Sequence, residues 1–487
     1  MATGSAFSMV SKWRISPFVL SPIDVLFNSF GFILGFLPAV LLATCLIHRP
    51  RRRVIFWTLA SWVFYAFAGP WFVLLMMAST VLDFVLAQRI ARSESPTVRR
   101  AYMITSICFG LGVLGFFKYF NFFLETVNDV AGALHAITGV PTLALTTSFT
   151  IVLPAGISFY TFETIRYTVD VYRRNIAPER DFWYFACFVS LFPHLIAGPI
   201  IKPGDLLPQL HQQRHEWRWQ HGLFLFAAGL CKKVLIADRI AISIDPFLFN
   251  MSELSTPKAW MAMVGFAMQI YFDFSGYTDM ARGLGYMIGI EFPINFDSPY
   301  RALDPSDFWR RWHITLSTWL REYLYIPLGG NRHGRLMTYR NLMITMLLGG
   351  LWHGAGWNFV LWGGLHGLAL SGYHRFGHYW DPLPIALRRS AMFFFVVLTW
   401  VPFRLHKLDD ILTCYRAMFA LDFSGAVPWR LPVLLIGGTV LAIFVRQSSN
   451  DIEWGRLGPI AAVALGVAAF VTLLYINAST QFLYFQF

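Results

Sequence analysis

Apolar positions along this chain come in long unbroken runs, not in the alternation of a half-buried strand or the narrow stripe of a soluble helix. A helix that crosses a bilayer needs roughly 20 mostly apolar residues. By that measure the spans predicted are 26–47, 53–69, 70–88, 102–124, 147–165, 222–241, 258–276, 341–356, 357–373, 390–404, 431–446 and 459–477. Two further stretches, 182–201 and 308–327, are interrupted or amphipathic. The fold class expected is an all-α polytopic membrane protein with about eleven or twelve transmembrane helices plus re-entrant and interfacial pieces. Residues 1–25 read as an N-terminal extension, 26–481 as the transmembrane domain and 482–487 as a separate apolar tail.

The polar intervals give the orientation. HRPRRR (48–53), Arg89 to Arg100, and RYTVDVYRRNIAPERD (166–181) are basic, whereas 125–146 carries two acids and no Lys or Arg. Positively charged loops stay on the cytosolic side, which makes 53–88 a hairpin, 125–146 an outer loop and 166–181 a return to the cytosol. The stretch FWYFACFVSLFPHLIAGPIIKPG (182–204) has basic sequence on both flanks and Pro193, Gly198, Pro199 and Pro203 within it. A segment that enters and leaves on one face accounts for both features. Broken backbone at membrane depth is tolerated where protein or water covers it, so it is expected to line a cavity. Residues 405–430 read as a surface helix.

Composition agrees: 56% of the residues are hydrophobic and only 14% charged, against about 25% charged in a soluble domain. The net charge of +12 sits in short runs between apolar segments, so it reflects membrane orientation and not nucleic-acid binding. The five cysteines are scattered with no CxxC pair, which argues against disulfides and thiolate metal sites. The pairs His211/His215 and His374/His378 have helical spacing but neither an HExxH pattern nor a third ligand, so no metal is expected. A haem on His353 with His366 or His194 has no further support, and no bound cofactor is expected.

Ionisable groups inside apolar runs are costly there and are functional candidates by default. His353 stands in LLGGLWHGAGWNFVLWGGLHG (347–367), and His313 in FWRRWHITLSTWLREYLYIPLGGNRHGR (308–335). His194 lies in the broken segment, where a packed, hydrogen-bonded histidine is the alternative to a tunnel residue. Asp273 and Asp279 lie in QIYFDFSGYTDMARG (269–283), with pairing to the seven arginines between 301 and 340 the expected role and tunnel chemistry the alternative. Arg310, Arg311, Arg332 and Arg335 are candidates to hold the phosphates of a cytosolic donor; lipid headgroups are their alternative partners.

The two histidine segments, with VLPAGISFYTFETIRYTVDVYR (152–173), FPHLIAGPI (192–200), QIYFDFSGYTDMARGLGYMIGIEFPINFDSPY (269–300) and FLYFQF (482–487), resemble the membrane-bound O-acyltransferases. The bacterial branch typified by the alginate O-acetyltransferase membrane subunit is nearest. The resemblance runs from about residue 26 to the end. It implies helices around a central tunnel, an acyl group passing from a cytosolic thioester to a hydroxyl, and His353 and His313 as the catalytic pair. For this branch the donor implied is acetyl-CoA and the acceptor an exported polysaccharide (alginate-, cellulose- or peptidoglycan-like), reached through an extracytoplasmic partner protein, in a bacterial cytoplasmic (inner) membrane. The tail also resembles the C-terminal peptide of the small membrane subunit of teichoic-acid D-alanylation systems, which makes Tyr484 a candidate acyl relay; an interfacial aromatic anchor is the alternative. A histidine near neutral pKa suits the chemistry, since a hydroxyl is a weak nucleophile until a base takes its proton. The competing class is a transporter or channel whose intramembrane His and Asp form a relay, which predicts inverted repeats that the chain lacks.

Overall fold

The computed structural model describes residues 26–139, 151–212, 216–425, 427–444, 458–476 and 483. The extension 1–25, His215 and Tyr484 lie outside the described residues. A wide π-turn, Gly31–Phe36, leads into α1 (Leu37–Leu46), followed by α2 (Pro50–Ala66) and α3 (Pro70–Arg92). Then α4 (Pro96–Leu114) runs through a π-turn at Gly115–Tyr119 into α5 (Phe120–Thr138), and α6 (Ile157–Tyr172) follows. Three short helices, α7 (Phe182–Ser190), α8 (Phe192–Leu195) and α9 (Pro203–Leu210), occupy the segment predicted to be broken. Next, α10 (Trp219–Cys231) passes through a π-turn at Lys232–Ala237 into α11 (Asp238–Phe249), and α12 (Thr256–Ile288) returns beside them.

The second interrupted stretch is α13 (Pro305–Arg311), α14 (Ile314–Leu320) and a π-turn at Arg321–Tyr325. The chain finishes with α15 (Arg335–His353), α16 (Trp357–Trp380), α17 (Ile385–Arg404), the short α18 (Leu408–Phe419), α19 (Arg430–Phe444) and α20 (Pro459–Tyr475). Proline opens α2, α3, α4, α9, α13 and α20, where a missing N–H costs no hydrogen bond. Two boundaries differ from expectation: α5 carries helix through Thr138 where an outer loop was predicted, and α6 begins at Ile157, later than 147.

Among the described residues, 70–92, 96–138 and 385–404 are long and apolar enough to cross a membrane by length and composition alone. Other helices bury polar groups within the protein. The clearest is α12, buried along most of its 33 residues while carrying Gln269, Asp273, Asp279 and Arg282. The molecule is an all-α membrane protein with α12 at its centre.

Glycine sets what α12 touches. A Cβ on Gly229 would lie 2.5 Å from the Gly276 carbonyl oxygen, and one on Gly222 2.6 Å from that of Gly283. These heptad-spaced glycines let α10 and α12 meet backbone to backbone, the usual device of helices packed in lipid. The predicted basic loops also meet one another. Arg51 bonds Asp181 at 2.6 Å, Gln88 donates to the Glu179 carbonyl at 2.5 Å, and Arg99 to the Tyr172 carbonyl at 2.6 Å. His211 lies 2.7 Å from Glu179. One face therefore gathers the positive loops, and by the positive-inside rule it is cytosolic.

Candidate active site

His353 is the last residue of α15, and the turn that follows it is built for close approach. Gly354 lies against the Phe359 ring; Gly350 and Gly363 lie against the carbonyls of Phe359 and Met346. A side chain at any of these would push α15 and α16 apart. A helix leaves its last carbonyls unpaired, and here the turn between α4 and α5 supplies the donors. The Tyr119 hydroxyl donates to the Leu351 carbonyl at 2.6 Å, and Lys118 Nζ to those of Trp352 at 2.5 Å and His353 at 3.1 Å. The π-turn at Gly115–Tyr119 presents both groups. A cation at a helix C-terminus also complements its dipole.

The His353 ring is 4% exposed and walled by aromatics: ring centres lie 5.0 Å away for Trp362, 5.2 Å for Trp352 and 5.4 Å for Phe403. The His313 imidazole lies 6.2 Å away. The structure thus brings together two histidines 40 residues apart in sequence. His313 is fully buried, with Phe274 at 4.8 Å and Trp352 at 5.8 Å. Its backbone is left-handed (φ 42°, ψ 56°) at the start of α14, a conformation that non-glycine residues adopt at a cost and that clusters at functional sites.

Neighbouring hydrogen bonds hold that conformation. Ile314 N–H donates to the Asn295 carbonyl at 3.0 Å, while the Thr315 hydroxyl donates to Asn295 Oδ1 at 3.0 Å. The same hydroxyl oxygen accepts Ile200 N–H at 3.0 Å, tying the broken segment to the His313 loop. His194, in that segment, is buried with Nδ1 3.2 Å from Glu163 Oε1, which also accepts Ile201 N–H at 3.1 Å. Glu163, through Ile201, ties down the segment, and the His194 ring packs edge-on against Phe292.

The two aspartates find partners other than those expected. Asp273 Oδ1 lies 2.6 Å from Lys233 and Asp279 Oδ2 2.7 Å from Lys232, both lysines from the π-turn beyond α10. None of the arginines between 301 and 340 takes this role, because the glycine contact places α10, not α13 or α14, beside that face of α12.

A cavity of about 500 Å³ lies between α13, α14, α15 and α16. Its wall includes Arg310, Arg321, Tyr373 and His374, together with Ile314 and Met346. Ile314 follows His313, and Met346 precedes His353 by seven residues, about 10 Å of helix. Of the four candidate donor-binding arginines, Arg310 lines this space. Arg311 turns to Asp307 at 2.9 Å and Asp297 at 3.4 Å, and Arg332 and Arg335 are not on its wall. Arg321 is there instead; its neighbour Glu322 faces away, to Arg166 and Lys202, each at 2.9 Å. Among the described residues, no three His, Cys, Asp or Glu side chains are grouped to hold a metal ion.

Lys118, Lys233, Glu163 and Asn295 were not singled out from sequence. A lone lysine in the apolar run 102–124 is a signal of the same kind as His353, and Lys118 was legible on that ground. Asn295 had no such signal.

A sequence profile of the membrane-bound O-acyltransferase (MBOAT) family matches residues 179–401. The chain is 40% identical to a probable alginate O-acetylase (AlgI) of Pseudomonas aeruginosa, over 88% of this chain and 83% of that protein. It is 35% identical to a peptidoglycan O-acetyltransferase of Helicobacter pylori, over 96% of this chain and 99% of that protein. A teichoic acid D-alanyltransferase of Bacillus subtilis is 25% identical over 45% of this chain and 59% of that protein.

Proposed function

The chain belongs to the membrane-bound O-acyltransferase family, and on that premise we propose that it moves acetyl groups from cytosolic acetyl-CoA to hydroxyls of an exported polysaccharide. The observation that carries this reading is the buried pair of imidazoles, 6.2 Å apart, behind the wall of a cavity that opens among basic residues. The membrane is taken to be a bacterial cytoplasmic membrane, and a protein beyond it to complete delivery to the polymer.

In the reaction proposed, an acceptor hydroxyl oxygen attacks the thioester carbonyl; a C–O bond forms and the C–S bond breaks. His353 takes the hydroxyl proton and returns it to the departing thiolate, so no net charge is left in the bundle. Such a base is typically worth about 10²–10⁴-fold in rate. His313, whose neighbour Ile314 lines the cavity, is assigned to the donor side. Arg310 and Arg321 are the cavity's guanidinium groups and match the phosphates of the coenzyme. The relatives that name O-acetylation of alginate and of peptidoglycan support the class of acceptor; the hydroxyl of Tyr484 is proposed as the first acceptor, forming an acetyl ester that is then attacked by a polymer hydroxyl through the outer partner, with Tyr484 regaining its proton.

The test is transfer from labelled acetyl-CoA by purified protein in nanodiscs. His353→Ala is expected to lose about 10²-fold or more, and undiminished turnover in that variant would end the proposal. For the relay, mass spectrometry of the polymer from cells with Tyr484→Phe decides: full acetylation removes it.

A further inference from the structure

We propose that Lys233, Asp238 and Asp273 form a docking site for the chain's own C-terminal segment, gripping it by the main chain and not by a side chain. Leu483 is buried in the hydrophobic core, and its backbone N–H donates to Asp273 Oδ2 at 2.8 Å, across 210 residues of sequence. The other oxygen of Asp273 lies 2.6 Å from Lys233 Nζ, which also reaches Asp238 Oδ1 at 2.8 Å. All three side chains are nearly inaccessible.

A carboxylate in the interior is costly unless its charge is paired and hydrogen-bonded. A backbone N–H aimed at Asp273 offsets part of that charge. Every residue except proline has this group, so the grip is indifferent to the side chain at 483 except for its apolar burial. The π-turn at Lys232–Ala237 aims the lysine, and α20 brings the chain alongside: Thr472 contacts Cys231 at 3.3 Å, and Tyr475 lies under Arg239 at 5.3 Å.

The position of the site gives the anchor its use. Phe274, next to Asp273 on α12, has its ring 4.8 Å from that of His313, and His313 neighbours His353. Docking at Asp273 therefore holds the Leu483 main chain beside the turn of α12 that packs on His313. The anchor stands on this geometry alone; its part in acetyl transfer rests on the relay reading above.

Hydrogen-exchange mass spectrometry on the full-length protein in nanodiscs tests it, following the peptide 481–487. The Leu483 amide is expected to be protected in the native chain. Asp273→Asn is expected to speed exchange of this peptide about tenfold or more, the scale of one charge-assisted bond, with α6 and α15 unaffected. Leu483→Pro removes the donor while leaving the ion pairs in place, so it should loosen the remaining tail amides; Leu483→Ala keeps the N–H and should loosen them far less. An unprotected native tail, or equal exchange in Leu483→Pro and Leu483→Ala, overturns the anchor whatever Tyr484 does. Normal anchor behaviour with full polymer acetylation in Tyr484→Phe upholds the anchor and removes the relay; normal anchor behaviour with acetylation lost upholds both.

Discussion

Lys118→Met separates the placing of His353 from the stability of the bundle. Lys118 gives two hydrogen bonds, at 2.5 and 3.1 Å, to the carbonyls of Trp352 and His353, and its ammonium lies 5.9 Å from the centre of the Trp352 ring. Hydrogen bonds to a charged group contribute about 1.5–3 kcal/mol each, so the lysine gains roughly 3–6 kcal/mol locally. Taking an ammonium out of water costs several kcal/mol, which cancels most of that gain. Methionine keeps the apolar stem and avoids that desolvation, which offsets part of the cost of leaving the two carbonyls unpaired (about 1–3 kcal/mol each), so a net loss of about 1–3 kcal/mol is expected. Catalysis has no such compensation. The carbonyl of His353, the proposed base, loses its tether, and a misplacement of about 1 Å costs on the order of 10²-fold. Steady-state transfer from acetyl-CoA by nanodisc-embedded protein should show kcat down about 10–100-fold and KM within about threefold, with Lys118→Arg recovering part of the loss. A wild-type kcat in Lys118→Met would refute the reasoning, as would a loss that merely tracks the fraction of protein unfolded.

Arg310→Ala with Arg321→Ala should raise KM for acetyl-CoA at least about tenfold while changing kcat little; Arg311→Ala, whose guanidinium is committed to Asp307 and Asp297, should leave KM alone, and titrating acetyl-CoA against each variant decides. Gly276→Ala places a Cβ 2.7 Å from the Gly229 carbonyl oxygen and should cost about 1–3 kcal/mol by overpacking. Gly437→Ala meets nothing within 4 Å and should stay within about 0.5 kcal/mol; equal thermal unfolding temperatures in detergent for the two would show that the α10–α12 contact is looser than described.

Much of the fold was legible because burial in lipid leaves long apolar runs. The broken segment 182–204 was visible in its prolines, and the helices around His353 lie within a few residues of their predicted positions. Boundaries slipped where polarity and helicity part company. Residues 125–138 looked like a loop because they carry acids, yet a helix that extends past the apolar layer tolerates them on its exposed faces, as α5 does. The partners of Asp273 and Asp279 were assigned to the wrong residue type for a different cause. Counting nearby arginines in sequence takes no account of which helices touch, and the touching is decided by four glycines whose meaning appears only when α10 and α12 lie side by side. The arginines posed the same difficulty at shorter range: Arg310 and Arg311 are adjacent, yet Arg310 lines the cavity while near Asp307 at 3.6 Å, and Arg311 binds Asp307 and Asp297 more closely.

Several of the ionisable groups inside the bundle share a further property. His313 sits at a left-handed residue between two helices, Lys118 and the pair Lys232 and Lys233 on π-turns, and His194 one residue before a helix gives out. Regular helix satisfies its own backbone and offers a buried charge nothing; a widened or broken turn frees carbonyls and N–H groups that must be paired in the absence of water. Lys118 shows the exchange in one direction, a charged side chain satisfying orphaned carbonyls at the end of α15. Asp273 shows it in the other, a carboxylate satisfied by the N–H of Leu483. Each irregularity therefore stabilises a charge that lipid alone would not admit, and each charge holds the irregularity in place. On this account His353 and His313 stand at helix ends because there an imidazole can be both sunk in the bundle and held from the backbone.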